Sequence, residues 1–246
     1  MDRLADQLEL LDGPLDDPVA LVANLRDLAR INRWFGGIRL SRQALDALLG
    51  TSTERRPGPI TLLDVGTGGA DIPVALQAIG RRRGQLLEVV ALDSRPEVFD
   101  AALSLSPSLA ARPGFRFEVG DGRSLPGADG SQDVVHASLV LHHLEPGEAV
   151  ALLHEMGRVA RLGIIVNDLA RGRLAWLGAW ALGRTLTRGR FTRNDAPLSV
   201  RRAYTRAEMG ALLGRAGLEP IASFRGAFGH RYAIAAVRRP GGEPVG

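Results

Sequence analysis

Gly66, Gly68 and Gly69 sit in a turn that follows a short apolar run (residues 60–66, ITLLDVG) and precedes a helical pattern (residues 74–80, VALQAIG). Glycine lets the backbone approach a ligand closely, so a strand, a glycine turn and a helix in that order make a ligand cradle. A dinucleotide fingerprint needs a further glycine at position 71, where this chain has Asp71. A carboxylate beside a pyrophosphate is unfavourable, so a nicotinamide cofactor is disfavoured and a nucleotide ligand without phosphates fits better. Asp93 ends the next apolar run (residues 86–93, LLEVVALD), where a carboxylate can accept from two ribose hydroxyls. Asp121 and Gly122 follow a third run (residues 115–121, FRFEVGD), and a carboxylate there can accept from the exocyclic amine of adenine. His142 and His143 close a fourth (residues 132–141, QDVVHASLVL) and are the residue type suited to taking a proton near neutral pH. Each feature alone has an ordinary structural reading as a turn, a helix cap or packing. Their occurrence at successive strand ends is more specific than any one of them.

The elements that must position these residues alternate along the chain. Strand patterns at residues 60–66, 86–93, 115–121, 132–141 and 162–170 are separated by helical patterns at 74–80, 96–105 and 148–160, which implies parallel strands in a sheet covered on both faces. In such a sheet ligands bind beyond the carboxyl ends of the strands. Before this alternation, Leu21, Leu25, Leu28 and Ile31, then Leu45, Leu48 and Leu49, fall at helical spacing, and residues 51–59 (TSTERRPGP) look like a linker. The expected division is an N-terminal helical cap over residues 1–55 and an α/β domain over 56–246. Residues 171–204 break the rhythm with an arginine-rich, tryptophan-bearing insertion. A further helix (205–218) and two strand patterns that suggest a hairpin complete the chain.

Composition removes whole chemistries. The chain of 246 residues contains no Lys and no Cys, so its 31 bases are all arginine. A Walker lysine, a Schiff-base lysine, thiolate zinc sites, Fe–S clusters and cysteine nucleophiles are excluded, and no metal site is expected. The N-terminal segment is acidic and too interrupted for a secretory signal, which makes a cytoplasmic location the default expectation.

At this point the sequence resembles the class I S-adenosylmethionine-dependent methyltransferases. LLDVGTGGADIP is similar to their first motif, VVALD to their acidic second-strand end, GDGRSLP to their adenine-side loop and QDVVHASLVLHHL to their fourth-strand motif. Within that class, NLRDLARINRWFGG, the HASLVLHH run and APLSVRRAYT resemble small-molecule enzymes near the quinone C-methyltransferases and those that accompany polyketide synthesis. The resemblance implies a doubly wound, mostly parallel seven-stranded sheet with the last strand antiparallel, a Rossmann-like fold. It also implies S-adenosyl-L-methionine as cofactor, with Asp64, Gly66, Thr67 and Gly68 at its methionine portion, Asp93 and Ser94 at the ribose, Asp121 and Gly122 at the adenine, and Ser138 near the amino-acid end. The family commonly has Gly where this chain has Ala70, whose methyl is expected to narrow the approach to the cofactor.

The acceptor implied is a small aromatic or lipophilic molecule, methylated on oxygen or carbon, with His143 or His142 as base. Residues 171–204, with Leu174, Trp176, Leu177, Trp180, Leu182 and Leu186, are apolar all round if helical and must be buried somewhere. They are expected to form a helical lid over the acceptor, the tryptophans lining it; packing on the N-terminal helices and an interfacial helix whose arginines meet anionic lipid are the other readings. Two alternatives to small-molecule methylation are an RNA methyltransferase and a non-catalytic S-adenosylmethionine-binding module. Nucleic acid is not an expected partner, because no basic stretch is interleaved with stacking aromatics.

Overall fold

The computed structural model describes residues 1–4, 7, 9–13, 17–51, 58–185 and 190–239. Its helices are α1 (Pro18–Trp34), α2 (Gly37–Thr51), α3 (Asp71–Arg82), α4 (Pro96–Leu105), α5 (Pro146–Val159), α6 (Arg173–Thr185), α7 (Arg190–Arg202) and α8 (Arg206–Arg215). Its strands are β1 (Ile60–Val65), β2 (Leu87–Asp93), β3 (Phe115–Val119), β4 (Gln132–Ser138), β5 (Ala160–Leu169), β6 (Leu218–Arg225) and β7 (Arg231–Arg238). The strands lie in the order β3-β2-β1-β4-β5-β7-β6. β3, β2, β1, β4 and β5 pair in parallel, while β7 runs antiparallel to both β5 and β6. This is the doubly wound sheet with a terminal hairpin that the sequence implies.

Successive residues of each strand feed opposite cores, as the two-residue period of an extended chain requires. Leu62, Val89, Val134 and Ile165 pack with Leu40, Ala44 and Leu48 of α2 and Ile72 and Leu76 of α3. Leu63, Val90, Val135, Ile164 and Val166 pack on the other face with Leu152, Leu153 and Met156 of α5 and Leu212 and Leu213 of α8. Both faces are thus covered, and the near-continuous apolar runs in the sequence are explained. Helix starts follow local chemistry: Pro18 and Pro96 occupy first-turn positions, and Thr205 Oγ1 accepts from the Glu208 N–H while Glu208 returns a bond to the Thr205 N–H.

Two local details depart from the sequence reading. The fourth strand stops at Ser138, not Leu141, because Leu139 adopts a left-handed conformation (φ 58°) and Leu141–His143 form a 3-10 turn. The described residues of the 171–204 insertion form two helices, α6 and α7. The linker at 52–57, the expected boundary at 55/56 and Leu186 lie outside the described residues. No helix among the described residues is long and apolar enough to cross a membrane.

Candidate active site

Two cavities meet at the carboxyl ends of the strands. One, of about 420 Å³, is lined by Asp64, Gly66, Thr67, Gly68, Asp71, Asp93, Ser94 and Ser138, together with α1 residues that include Leu25 and Asn32. The other, of about 440 Å³, is bordered by Leu28, Ile31, Leu174, Ala175, Ala179 and Leu182, with His142 and His143 on its wall. Leu11, Asn24, Leu28, Leu139 and His143 line both. Of the residues implied as cofactor ligands or base, Asp121 and Gly122 stand apart from these linings; Asp121 is exposed and its carboxylate accepts from the Arg123 N–H (3.0 Å).

The glycine turn is shaped by what surrounds it. Gly66 has φ +65°, and a Cβ there would lie 2.5 Å from Val140 Cγ2, so only glycine fits. Asp64 at the end of β1 accepts from Thr67 Oγ1 (2.6 Å) and pairs with His136 Nδ1 (2.5 Å). Asp93 accepts from the N–H groups of Gly68 (3.1 Å) and Arg95 (3.2 Å), tying the first and second loops together. Burial nevertheless pushes its carboxyl above the usual carboxylate range, against the pull of those hydrogen bonds. Ala70 adopts φ 55° and is fully buried. Its methyl does not line the cleft, so its cost is backbone strain rather than the expected obstruction of the ligand.

A buried polar network runs beneath the loops. His136 Nε2 lies 2.8 Å from Ser41 Oγ; Asn167 donates to Ser41 Oγ (2.6 Å) and to the Gly37 carbonyl (2.8 Å). Arg231, 1% exposed, donates to Asn167 Oδ1 (2.7 Å), Asn32 Oδ1 (2.7 Å) and Ser138 Oγ (2.8 Å). Burial lowers the Arg231 guanidinium to about 10, offset in part by Asp168 and Asp71. Asn32 donates to Asp71 Oδ1 (3.2 Å), while the buried Asp71 Oδ2 has no hydrogen-bond partner. Desolvation pushes the Asp71 carboxyl upward.

The histidine pair is held by carboxylates. His142 Nδ1 lies 2.7 Å from Asp168 Oδ1, and His143 Nδ1 lies 2.7 Å from Asp12 Oδ1. Burial alone would raise the Asp168 carboxyl, but the His142 ring and the Leu169 N–H hold it below the usual range. Burial likewise opposes ionisation of Asp12, and the His143 ring, the Glu9 N–H and Arg202 bring it down. Asp12 and Glu9 belong to an N-terminal segment whose 3-10 turn, Leu10–Asp12, is pinned by α7: Asp195 accepts from the N–H groups of Leu10 (3.0 Å) and Leu11 (3.2 Å), and Arg202 donates to Asp12 Oδ2 (2.7 Å) and to the His143 carbonyl (2.7 Å). Glu9 faces both imidazoles, and desolvation raises its carboxyl to about 7.

The tryptophans of α6 are not in the cavity lining. Leu174, Ala175, Gly178, Ala179 and Leu182 border the cavity, a stripe at helical spacing with Leu174 at its exposed rim, and Trp176 and Trp180 lie off it. Trp180 is 39% exposed, with the Arg184 guanidinium 4.2 Å above its ring. The sequence reading also missed Glu9, Asp12, Asp168, Asp195, Arg202 and Arg231. Asp168 had a signal: Asn167 and Asp168 are polar residues at the carboxyl end of an otherwise apolar strand. The others had none.

Residues 62–163 match the family model described as a methyltransferase domain. A curated relative from Mycobacterium sp. (strain JLS), an uncharacterized methyltransferase, is 36% identical over 132 residues, 53% of this chain and 47% of that protein. The chain therefore spans about half the length of the curated relatives it matches. Among solved structures it is similar in fold to a SAM-dependent methyltransferase from Aquifex aeolicus (TM-score 0.59, 18% identity, 89% of this chain and 97% of that one). It is also similar to an O-methyltransferase family 2 protein from Planctomyces limnophilus in complex with apigenin (TM-score 0.61, 17% identity, 92% and 62%). With the strand order, the glycine turn and the acidic second-strand end in place, these matches show a methyltransferase domain over residues 62–163, on a fold that resembles solved SAM-dependent methyltransferases.

Proposed function

We propose that this chain transfers a methyl group from S-adenosyl-L-methionine to a small aromatic or lipophilic acceptor held in the larger, apolar cavity. The observation that carries the reading is the meeting of two cavities of similar size at Leu139 and His143, one built on the glycine turn and Asp93, the other on apolar side chains and the histidine pair.

The residues of the smaller cavity suit the cofactor. Its ammonium and sulfonium groups are cationic, and Asp71 offers a buried carboxylate oxygen that accepts nothing from the protein. Asp93 is placed at the second-strand end to accept from a ribose diol, and the Gly66 turn leaves room that a side chain would fill. Bound there, S-adenosylmethionine supplies a methyl group for an in-line displacement whose leaving thioether needs no proton. The rest falls to the chain itself. The α6 and α7 helices, the proposed cover formed by residues 171–204, close the acceptor cavity and exclude water. Leu139, held in its left-handed conformation between the cavities, sets where the two ligands touch. His142 or His143 serves as base: the Nδ1 of each is committed to a carboxylate, Asp168 and Asp12, which leaves Nε2 to take a proton from a phenol or an acidic carbon. Most of the wall is apolar, with Leu28, Ile31 and Leu182 on it, which favours a small apolar acceptor over RNA.

Titration calorimetry with S-adenosylhomocysteine tests the cofactor half of the reading. Saturable binding, with no competition from NAD, is the expected result; a folded protein that ignores S-adenosylhomocysteine would contradict it.

A further inference from the structure

Glu9, His142 and His143 converge on one point of the acceptor-cavity wall, and each is prepared as a metal ligand is prepared. An ionised carboxylate can only accept, so the contacts to Asp168 and Asp12 (2.7 Å each) place a proton on Nδ1 of both imidazoles, and in the neutral ring the lone pair is then on Nε2, the nitrogen that faces Glu9. His142 Nε2 lies 3.7 Å from Glu9 Oε1, and His143 Nε2 lies 3.9 Å from Glu9 Oε2. One ligating atom from each of the three residues lies within 4.8 Å of the others. Glu9 is only 4% exposed, and its Oε1 accepts no hydrogen bond.

Lone pairs that face lone pairs in a buried site repel, and a cation bound between them removes that repulsion. Arg202 is not that cation: NH1 is 4.0 Å from Glu9 Oε1, and its hydrogen bonds go to Asp12 and the His143 carbonyl. A proton on one Nε2 would give only an ion pair with Glu9 at 3.7 or 3.9 Å, beyond the roughly 3.2 Å of a hydrogen bond, whereas a bound ion can take all three ligands at once. Three carboxylates, those of Glu9, Asp12 and Asp168, face the pair, with Arg202 hydrogen-bonded to Asp12. Imidazoles whose far nitrogen is bonded to a carboxylate are the usual second layer of a metal centre, because that bond fixes the tautomer and strengthens the ligand.

We propose that Glu9, His142 and His143 form a binding site for one divalent transition-metal ion. Two imidazoles and one carboxylate favour an ion such as zinc, manganese or iron over magnesium or calcium, which take oxygen ligands. Three protein ligands leave coordination positions open toward the cavity, where an acceptor hydroxyl or enol oxygen can bind as its anion, its proton having passed to bulk water before the cavity closes. That use of the ion rests on the methyl-transfer reading above. With the ion bound neither imidazole is a free base, and the acidity of the acceptor comes from coordination.

Cobalt(II) is the probe. Protein stripped with a chelator is titrated with cobalt(II) and followed by visible absorption, then challenged with zinc; S-adenosylhomocysteine binding is measured by calorimetry on the same sample. The expected result is one equivalent of cobalt(II), displaced by zinc, with Glu9→Gln and His143→Ala abolishing the absorption bands. Asp12→Asn, which keeps all three ligands but alters the group behind His143, should weaken binding about 10- to 100-fold. Wild-type protein that takes up no cobalt(II), or variants that bind it as tightly as wild type, would overturn the site. If S-adenosylhomocysteine binds and cobalt(II) does not, the metal site falls and the methyl-transfer reading stands; the reverse pattern keeps the site and removes the reading.

Discussion

Asp168 Oδ1 and His142 Nδ1 stand 2.7 Å apart, both buried, and the contact decides which nitrogen of the imidazole faces the acceptor cavity. Asp168 also accepts from the His142 N–H (3.2 Å) and the Leu169 N–H (2.7 Å), so the ring is fixed to the end of β5 through its own backbone as well. An Asp168→Asn side chain keeps the shape but can present an N–H to Nδ1, which turns the ring to the wrong tautomer. The expected outcome is a fall in kcat of about 100-fold or more with S-adenosylhomocysteine affinity unchanged, measured by single-turnover rates and calorimetry. Equal losses in both would mean that Asp168 acts on the fold.

Asp93 gives a prediction with a pH signature. Its carboxyl is raised by desolvation, so burying the ionised form costs stability: the protein without ligand is favoured below the ordinary carboxylate range and loses that contribution as pH rises through the raised value. Ribose hydroxyls donate to the ionised form, so S-adenosylhomocysteine should bind more tightly above that value than below it. Asp93→Asn should weaken binding by about 1.5 to 3 kcal/mol and remove the pH dependence, as read by calorimetry across mildly acidic to neutral pH.

Ala70 tests strain against packing. Its left-handed conformation costs roughly 1 to 2 kcal/mol relative to glycine. Removing its buried methyl forfeits about 0.8 kcal/mol, and glycine adds roughly 0.4 to 1 kcal/mol of unfolded-state entropy. These terms nearly cancel, so Ala70→Gly should leave Tm within about 4 °C of wild type. Ala70→Val, which adds bulk at a fully buried position in the same conformation, should lower Tm clearly.

The inward stripe of α6 separates acceptor binding from cofactor binding. Ala179→Phe fills the larger cavity and should raise KM for an apolar acceptor at least tenfold while S-adenosylhomocysteine affinity holds. Trp180→Ala, off that stripe, should leave KM unchanged. Steady-state kinetics on both variants checks the orientation of the helix, and the opposite ranking would reverse it.

Most of what the sequence made legible is local. The strands follow from apolar runs, and the glycine turn, Asp93 and the histidine pair from their places at strand ends; seven of the nine residues implied as cofactor ligands line one cavity. Asp121 and Gly122 do not line it. Glu9, Asp12, Asp195 and Arg202 were invisible because the N-terminal turn and α7 are far apart in the chain and no period links them. Trp176 and Trp180 were misjudged for a different reason: a helix apolar on every side does not say which side is covered. The extension of β4 to Leu141 failed at Leu139, whose backbone turns where the apolar pattern continues.

The central claim is methyl transfer to a small apolar acceptor, and the most direct measurement follows the methyl group. Purified protein is incubated with methyl-labelled S-adenosylmethionine and an extract of the source cells, which is then separated into organic-soluble, RNA and protein fractions. The account predicts label in the organic-soluble fraction, reduced by Ala179→Phe and by Asp168→Asn. Label in RNA, or no transfer by protein that binds the cofactor, would contradict it.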